Sequence, residues 1–222
     1  MKPFHMKKDY TYLFFDLDGT LMKSGEGIMR CAQHALQHFG IHVEHWEELL
    51  PFVGPPLEDS FKHFYHFTDE QVKEATHIYG LRYAKLGAFE AVPYPGVFDL
   101  LTQLKNAGKI LVLATSKKIT MTKMVLNHFG LLPYFHFIGA RDDEGTRHTK
   151  ADVIQYAIKQ LHIEDRNEIV MIGDRKFDII GARETGIDSI GVLYGYGDRK
   201  ELTEAGATYL ASNNQELAEL LL

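Results

Sequence analysis

The sequence predicts a doubly wound α/β fold, a parallel sheet with helices on both faces, carrying an inserted all-helical segment. Two observations predict the sheet. Continuous apolar runs of strand length recur along the chain, and stretches with helical spacing separate them. A third observation predicts the insert. From Lys23 to Ala91 the strand-like runs stop, and only amphipathic helical patterns remain, punctuated by Gly40, Pro51, Gly54-Pro55-Pro56 and Gly80. The expected division is a core over 1–22 and 92–222 and a helical cap over 23–91.

The first strand is Thr11–Asp16, apolar and aromatic from Tyr12 to Phe15 before its acidic end, as suits a strand buried on both faces. Gly25 and Gly27 open the insert, and Pro93-Tyr94-Pro95-Gly96 closes it with boundary chemistry. Val97, Leu100, Leu101 and Leu104 follow helical spacing from Val97 to Ala107, and Gly108 supplies the stop. Strands are expected at Lys109–Ala114 and Phe135–Gly139. A helix over Thr149–Leu161 carries Val153, Ile154, Ala157, Ile158 and Leu161 on one face. Two further strands, Glu168–Gly173 and Asp188–Leu193, complete the alternation. No internal repeat is present.

Composition narrows the partners. A chain of 222 residues, 45% hydrophobic, buries roughly 70–75% of its unfolded surface, so disordered and low-complexity readings fail. The net charge of −6, with the insert the more acidic part, offers no field for a polyanion, which argues against nucleic acid and anionic membrane. No apolar stretch approaches the ~20 residues of a bilayer span, and Met1–Tyr12 lacks the apolar core of a secretory signal. Cys31 is the only cysteine, so an internal disulfide and a cysteine-based zinc site are excluded. A cytoplasmic protein is expected, and the sequence assigns no oligomeric state.

In an open α/β sheet ligands bind beyond the C-terminal strand ends, so the residues just after each apolar run carry the chemistry. Asp16-Leu17-Asp18-Gly19-Thr20 follows the first strand. Thr115-Ser116-Lys117 follows the second and is expected to open a helix, whose free N–H groups favour an anion. Lys150 stands in the first turn of the helix leading to the fourth strand, which ends in Gly173-Asp174 with Asp178 close behind. Together these supply carboxylates for a hard cation, a carboxylate free to attack, and a cation and hydroxyls for phosphate oxygens. That is the inventory of phosphoryl transfer. Clustered acids repel a phosphate dianion, so a metal is required between them, and an all-oxygen donor set points to Mg²⁺.

With these four motifs in this order, the chain resembles the haloacid dehalogenase-like hydrolases, and the resemblance covers nearly its whole length. Tyr94-Pro95-Gly96-Val97 and Gly54-Pro55-Pro56-Leu57 look most like the phosphoglycolate phosphatase branch. The resemblance implies that Asp16 is the nucleophile forming an aspartyl-phosphate. It makes Asp18 the acid and base, and Thr115, Ser116 and Lys150 the phosphoryl-binding residues. Asp174 would complete a Mg²⁺ site with Asp16 and the main-chain carbonyl of Asp18, and Asp178 would act through water or by orienting its neighbours.

The implied function is hydrolysis of a small phosphorylated metabolite, with phosphoglycolate first and a nucleoside 5′-monophosphate close behind. Dehalogenases lack the second acid, so Asp18 disfavours their chemistry. A phosphosugar mutase of the β-phosphoglucomutase kind keeps both aspartates and stays open. So does a non-catalytic metabolite-binding protein, which has no need of Asp16, Asp18, Lys150 and Asp174 together. Three departures stand out: Ala151 where many relatives have proline, Arg175-Lys176 after the fourth motif, and Lys23 where an acid is common.

Each residue also has a plainer reading. Asp-x-Asp-Gly suits any turn, Lys150 alone suits a surface, Thr115 and Ser116 suit a helix cap, and Asp178 suits a cap or a pair with Arg175 or Arg183. An EF-hand fails because Gly27 stands where its last glutamate belongs. His34 and His38 have metal-pair spacing without a matching acid. Cys31, Met121 and Met124 read as packing residues, and Arg30, Lys62, Arg82 and Lys85 as solvated cations.

Overall fold

The computed structural model describes residues 8–222. The first seven residues of the stretch read as lacking a secretory signal, and of the expected core, lie outside them. Six parallel strands form the main sheet. They are β1 (Tyr12–Phe15), β4 (Ile110–Lys118), β5 (Phe137–Arg141), β6 (Ile169–Gly173), β7 (Asp188–Val192) and β8 (Tyr209–Ala211), in the order β5-β4-β1-β6-β7-β8. Two-residue strands β2 (Met22–Lys23) and β3 (Val92–Pro93) make a separate antiparallel ribbon. It joins the two ends of the segment between β1 and β4.

Strand β1 is central, with Tyr12 beside both Ile110 and Ile169. Its side chains alternate between two cores. Leu13 and Phe15 pack with Leu111, Leu113, Val170 and Ile172 on one face, and Phe14 packs with Val112, Ala114, Ile169 and Met171 on the other. Leu13, Phe14 and Phe15 are fully buried, which stabilises the fold by ~1.5–3 kcal/mol for each side chain. Helices α4 (Val97–Asn106), α5 (Ile119–His128) and α9 (Asn214–Leu221) cover the first face. Helices α6 (Lys150–Gln160) and α7 (Lys176–Thr185) cover the second, and α8 (Arg199–Ala205) packs on α7. The doubly wound sheet is as the periodicity predicted. The sixth strand was not predicted, because Tyr209–Ala211 has only three residues.

Between β2 and β3 the chain is helical: α1 (Gly25–His38), a 3-10 turn (Trp46–Phe52), α2 (Leu57–Tyr65), α3 (Asp69–Arg82) and a π turn (Tyr83–Gly87). Thr68 caps α3 reciprocally with Gln71, and Phe61 stacks on Phe67 at 5.6 Å. Arg82 is not solvated as expected. Its guanidinium forks onto both carboxylate oxygens of Glu90 at 2.8 and 2.9 Å and reaches the buried Cys31 Sγ at 3.1 Å. His38 pairs with Glu74 at 2.8 Å.

Helix α1 crosses the π turn closely at Gly27, where a β-carbon would penetrate the Gly87 carbonyl. Gly27→Ala is therefore expected to cost ~1–3 kcal/mol through overpacking. A thermal melt matching the wild type would contradict that contact.

Candidate active site

The site lies where the strand order reverses beside β1, at the C-terminal ends of β4, β1 and β6. Asp16 still belongs to the sheet, its N–H donating to the Ile172 carbonyl at 2.9 Å. The chain then turns sharply, with Gly19 N–H donating to the Met22 carbonyl at 2.8 Å. Gly19 has φ 86°, and a β-carbon there would overlap the Asp174 carboxylate, so glycine permits both the turn and the approach of Asp174.

Asp174 follows β6 and accepts from Tyr196 N–H at 2.8 Å and Thr20 Oγ1 at 3.3 Å. Asp178, in the first turn of α7, accepts from Arg175 N–H at 3.0 Å, so one carboxylate oxygen caps the helix. Its ionic partner is Lys150, and neither Arg175 nor Arg183 fills that role.

Lys150 is the first residue of α6. Thr149 and Asp152 form a reciprocal cap around it that fixes the helix start. Its buried ammonium lies 2.8 Å from Asp16 Oδ1, 2.8 Å from Asp178 Oδ1, and donates to the Ala114 carbonyl at 2.9 Å. One side chain thus ties β1, β4 and α7 together. Burial opposes the ammonium, but the two carboxylates more than offset it and hold Lys150 above its ordinary pKa.

Asp16, Asp174 and Asp178 place carboxylate oxygens within 4.8 Å of one another, all buried. Against these three acids Lys150 supplies one positive charge. Asp16 is pushed from its ordinary 3.8 up to about 6, first by burial and then by Asp178, with Lys150 pulling the other way. Asp174 is raised well above its ordinary value by burial, then by Asp178 and Asp16. Asp16 Oδ1 and Asp178 Oδ1 accept no directed hydrogen bond despite their closeness to Lys150 Nζ. An all-oxygen set with surplus negative charge and under-coordinated oxygens fits a hard divalent cation such as Mg²⁺.

The Asp18 carboxylate is not part of this cluster. It accepts from Ser24 Oγ at 2.6 Å and pairs with Lys117 Nζ at 2.9 Å. Lys117 also sits over the Tyr83 ring, 4.5 Å from its centroid. Burial works against this ammonium, but Asp18 and then Tyr83 outweigh it and raise its pKa. Lys117 follows the hydroxyl pair in the sequence motif, but only the fold gives it a role by bringing Asp18 and Tyr83 to it.

Thr115 and Ser116 line the same cavity as Asp16 and Asp18. They do not open a helix, contrary to expectation. Strand β4 continues through them to Lys118, irregular in register against β5, and α5 starts only at Ile119. Lys117 and Lys118 hid this extension, since charged residues at a strand end look like a loop.

Residues 13–192 match the family model described as haloacid dehalogenase-like hydrolase. A 5′-nucleotidase of Pseudomonas aeruginosa is 34% identical over 96% of this chain and 96% of its own length. Tyrosine-protein kinase PtkA of Mycobacterium tuberculosis is 34% identical over 94% of this chain and 72% of its own. The crystal structure of a predicted phosphatase from Clostridium acetobutylicum superposes with a TM-score of 0.92, at 43% identity, covering 95% of this chain and 97% of that one. More distant relatives, at 25% to 28% identity, are named pyrophosphatase or phosphoglycolate phosphatase. A family match across most of the chain, on the strand order and strand-end residues described above, shows that this protein belongs to the haloacid dehalogenase-like hydrolases.

Proposed function

We propose that the protein is a Mg²⁺-dependent phosphatase hydrolysing a small phosphomonoester through an aspartyl-phosphate at Asp16. The observation that carries this is the buried Asp16–Lys150–Asp178 arrangement with Asp174 beside it, from which Asp16 reaches the cavity lined by Thr115 and Ser116. Mg²⁺ held by Asp16, Asp174 and Asp178, with the Asp18 carbonyl, would screen the acids from an incoming dianion. In this proposal Lys150 neutralises and orients Asp16, while Thr115 and the Ser116 backbone receive phosphoryl oxygens. Asp18 donates a proton to the leaving oxygen and later takes one from water, held in place by Ser24 and Lys117.

We further propose that 23–91 acts as a cap over a core of 1–22 and 92–222. Contacts spanning the two support it: His148 with Asp59 at 3.1 Å, and the Arg175 guanidinium on the Val53 carbonyl. The cap would exclude bulk water from the site. A cytoplasmic location accords with the single, buried cysteine, and no helix among the described residues is long and apolar enough to cross a membrane.

Phosphate release from a panel with Mg²⁺, including phosphoglycolate, nucleoside 5′-monophosphates and hexose phosphates, tests the reading. Strong release from a few compounds is expected. Isomerisation of a hexose phosphate without free phosphate would instead establish a mutase.

Mg²⁺ is also expected to raise the melting temperature, and by more at pH 7.5 than at pH 5. Asp16 has a higher pKa folded than unfolded, so the metal-free fold binds a proton the unfolded chain has lost, and it weakens as pH rises from about 4 to 6. The metal competes with that proton, so its contribution grows across the same window. A Mg²⁺ shift equal at both pH values would contradict the assignment.

A further inference from the structure

Arg141 ends β5, with Lys118 of β4 its register neighbour, one step beyond the pair Thr115 and Ala140. Both cations line the cavity that contains Asp16 and Thr115. Arg141 is 4% exposed, and an arginine so buried is held by partners. Among the described residues its one carboxylate partner is Glu58, from the first turn of α2, at 3.1 Å from Nη1, and Nε is buried without an acceptor. Lys118 leans on the same glutamate at 3.6 Å. Two cations therefore share one carboxylate, and the guanidinium keeps an unused donor.

That charge and that donor are surplus to the chemistry proposed for the transferring phosphoryl group. Asp18 engages Lys117, and Asp16 and Asp178 engage Lys150. A guanidinium fork recognises a planar carboxylate or a phosphate. The partly open cavity that Arg141 and Lys118 line measures ≈ 70 Å³, small against the roughly 300–1,000 Å³ of sites for larger ligands, and the wider cavity of ≈ 660 Å³ beside it, which shares Ser116 and Gly54-Pro55-Pro56, is lined by neither cation. Strand β5 lies two strands from β1, about 10 Å at the ~4.8 Å spacing of neighbouring strands, and the long arginine stem shortens that span.

We infer that Arg141, assisted by Lys118, is a specificity-determining residue that receives a second anionic group on the leaving-group side of a short phosphomonoester, and that Glu58 fills this place when no ligand does. The chemistry is a carboxylate or a second phosphate on a short carbon frame. This rests on the phosphomonoester reading above and names its substrate class. It separates that class from nucleoside 5′-monophosphates, whose leaving group carries no second anion.

The test is calorimetric binding of phosphonoacetate and of methylphosphonate, with Mg²⁺, to the wild type, Arg141→Gln, Arg141→Lys and Glu58→Gln. The wild type is expected to prefer phosphonoacetate by about tenfold or more, and Arg141→Gln to lose most of that preference. Arg141→Lys, which keeps charge without the fork, should fall between them. Should Arg141→Gln fail to fold, Glu58→Gln carries the test with opposite sign, tightening phosphonoacetate severalfold by removing the competing carboxylate. No preference in the wild type, or one that survives in Arg141→Gln, overturns the inference, as does weaker binding in Glu58→Gln.

Turnover of phosphoglycolate against ethyl phosphate, and of a bisphosphate against its monophosphate, distinguishes carboxylate from phosphate as the second anion. Binding preference without phosphate release from any compound would sink the hydrolase reading and leave the subsite standing.

Discussion

Asp16→Asn is expected to reduce phosphate release by at least ~10⁴-fold while leaving a folded protein. The carboxylate oxygen is the attacking atom in the proposed mechanism, and an amide of the same shape offers no comparable nucleophile. Folding should survive because asparagine removes one of three crowded acids while Lys150 keeps Asp178 at 2.8 Å. Two readouts separate loss of chemistry from loss of structure. The melting temperature should lie within a few degrees of the wild type, and hydroxylamine-labile phosphate should label the wild type but not the variant. Residual turnover above a hundredth of wild type would show that Asp16 is not the nucleophile.

Lys150→Met has the larger expected effect on stability. Removing the ammonium leaves Asp16 and Asp178 buried without their counter-ion, a change that typically costs ~3–5 kcal/mol. For a chain of this size that corresponds to a fall of about 10 °C in melting temperature. The sign of its pH dependence follows from Asp16. Without Lys150 the carboxyl rises further above its ordinary value, so the deficit should shrink at pH 5, where the proton neutralises it, and widen at pH 7.5. Mg²⁺ should restore part of the loss by supplying positive charge to the same oxygens. Equal destabilisation at both pH values would show that lost packing, and not lost charge, dominates.

The parts of the site legible in the sequence share one property. Asp16, Thr115 and Asp174 sit at the ends of apolar runs, so finding the strands found them, and Lys150 stands in the first turn of a strongly patterned helix. Lys117, Arg141 and Glu58 were not legible. Each is a charged residue that reads as solvated until its partner is known, and the Glu58–Arg141 partnership spans the whole distance from α2 to β5. Arg82 was misjudged for the same reason, because Glu90 and Cys31 meet it only in the fold. Among the elements, β2, β3 and β8 escaped because two or three residues carry no periodicity. The extension of β4 escaped because its last residues point polar groups at the site.

The position of β1 sets how late in synthesis its two edges can be covered. Tyr12–Phe15 is made before the other five strands of its sheet, yet its neighbours begin at Ile110 and Ile169, roughly 100 and roughly 160 residues later, pairings of the long-range kind that slow folding. At ~5–20 residues per second, a wholly apolar strand waits about 8–30 s before both of its edges are covered. The helical segment from Gly25 to Gly87 is complete well before then. The central strand therefore cannot be covered on both edges until Ile169–Gly173, more than 150 residues downstream, has been made.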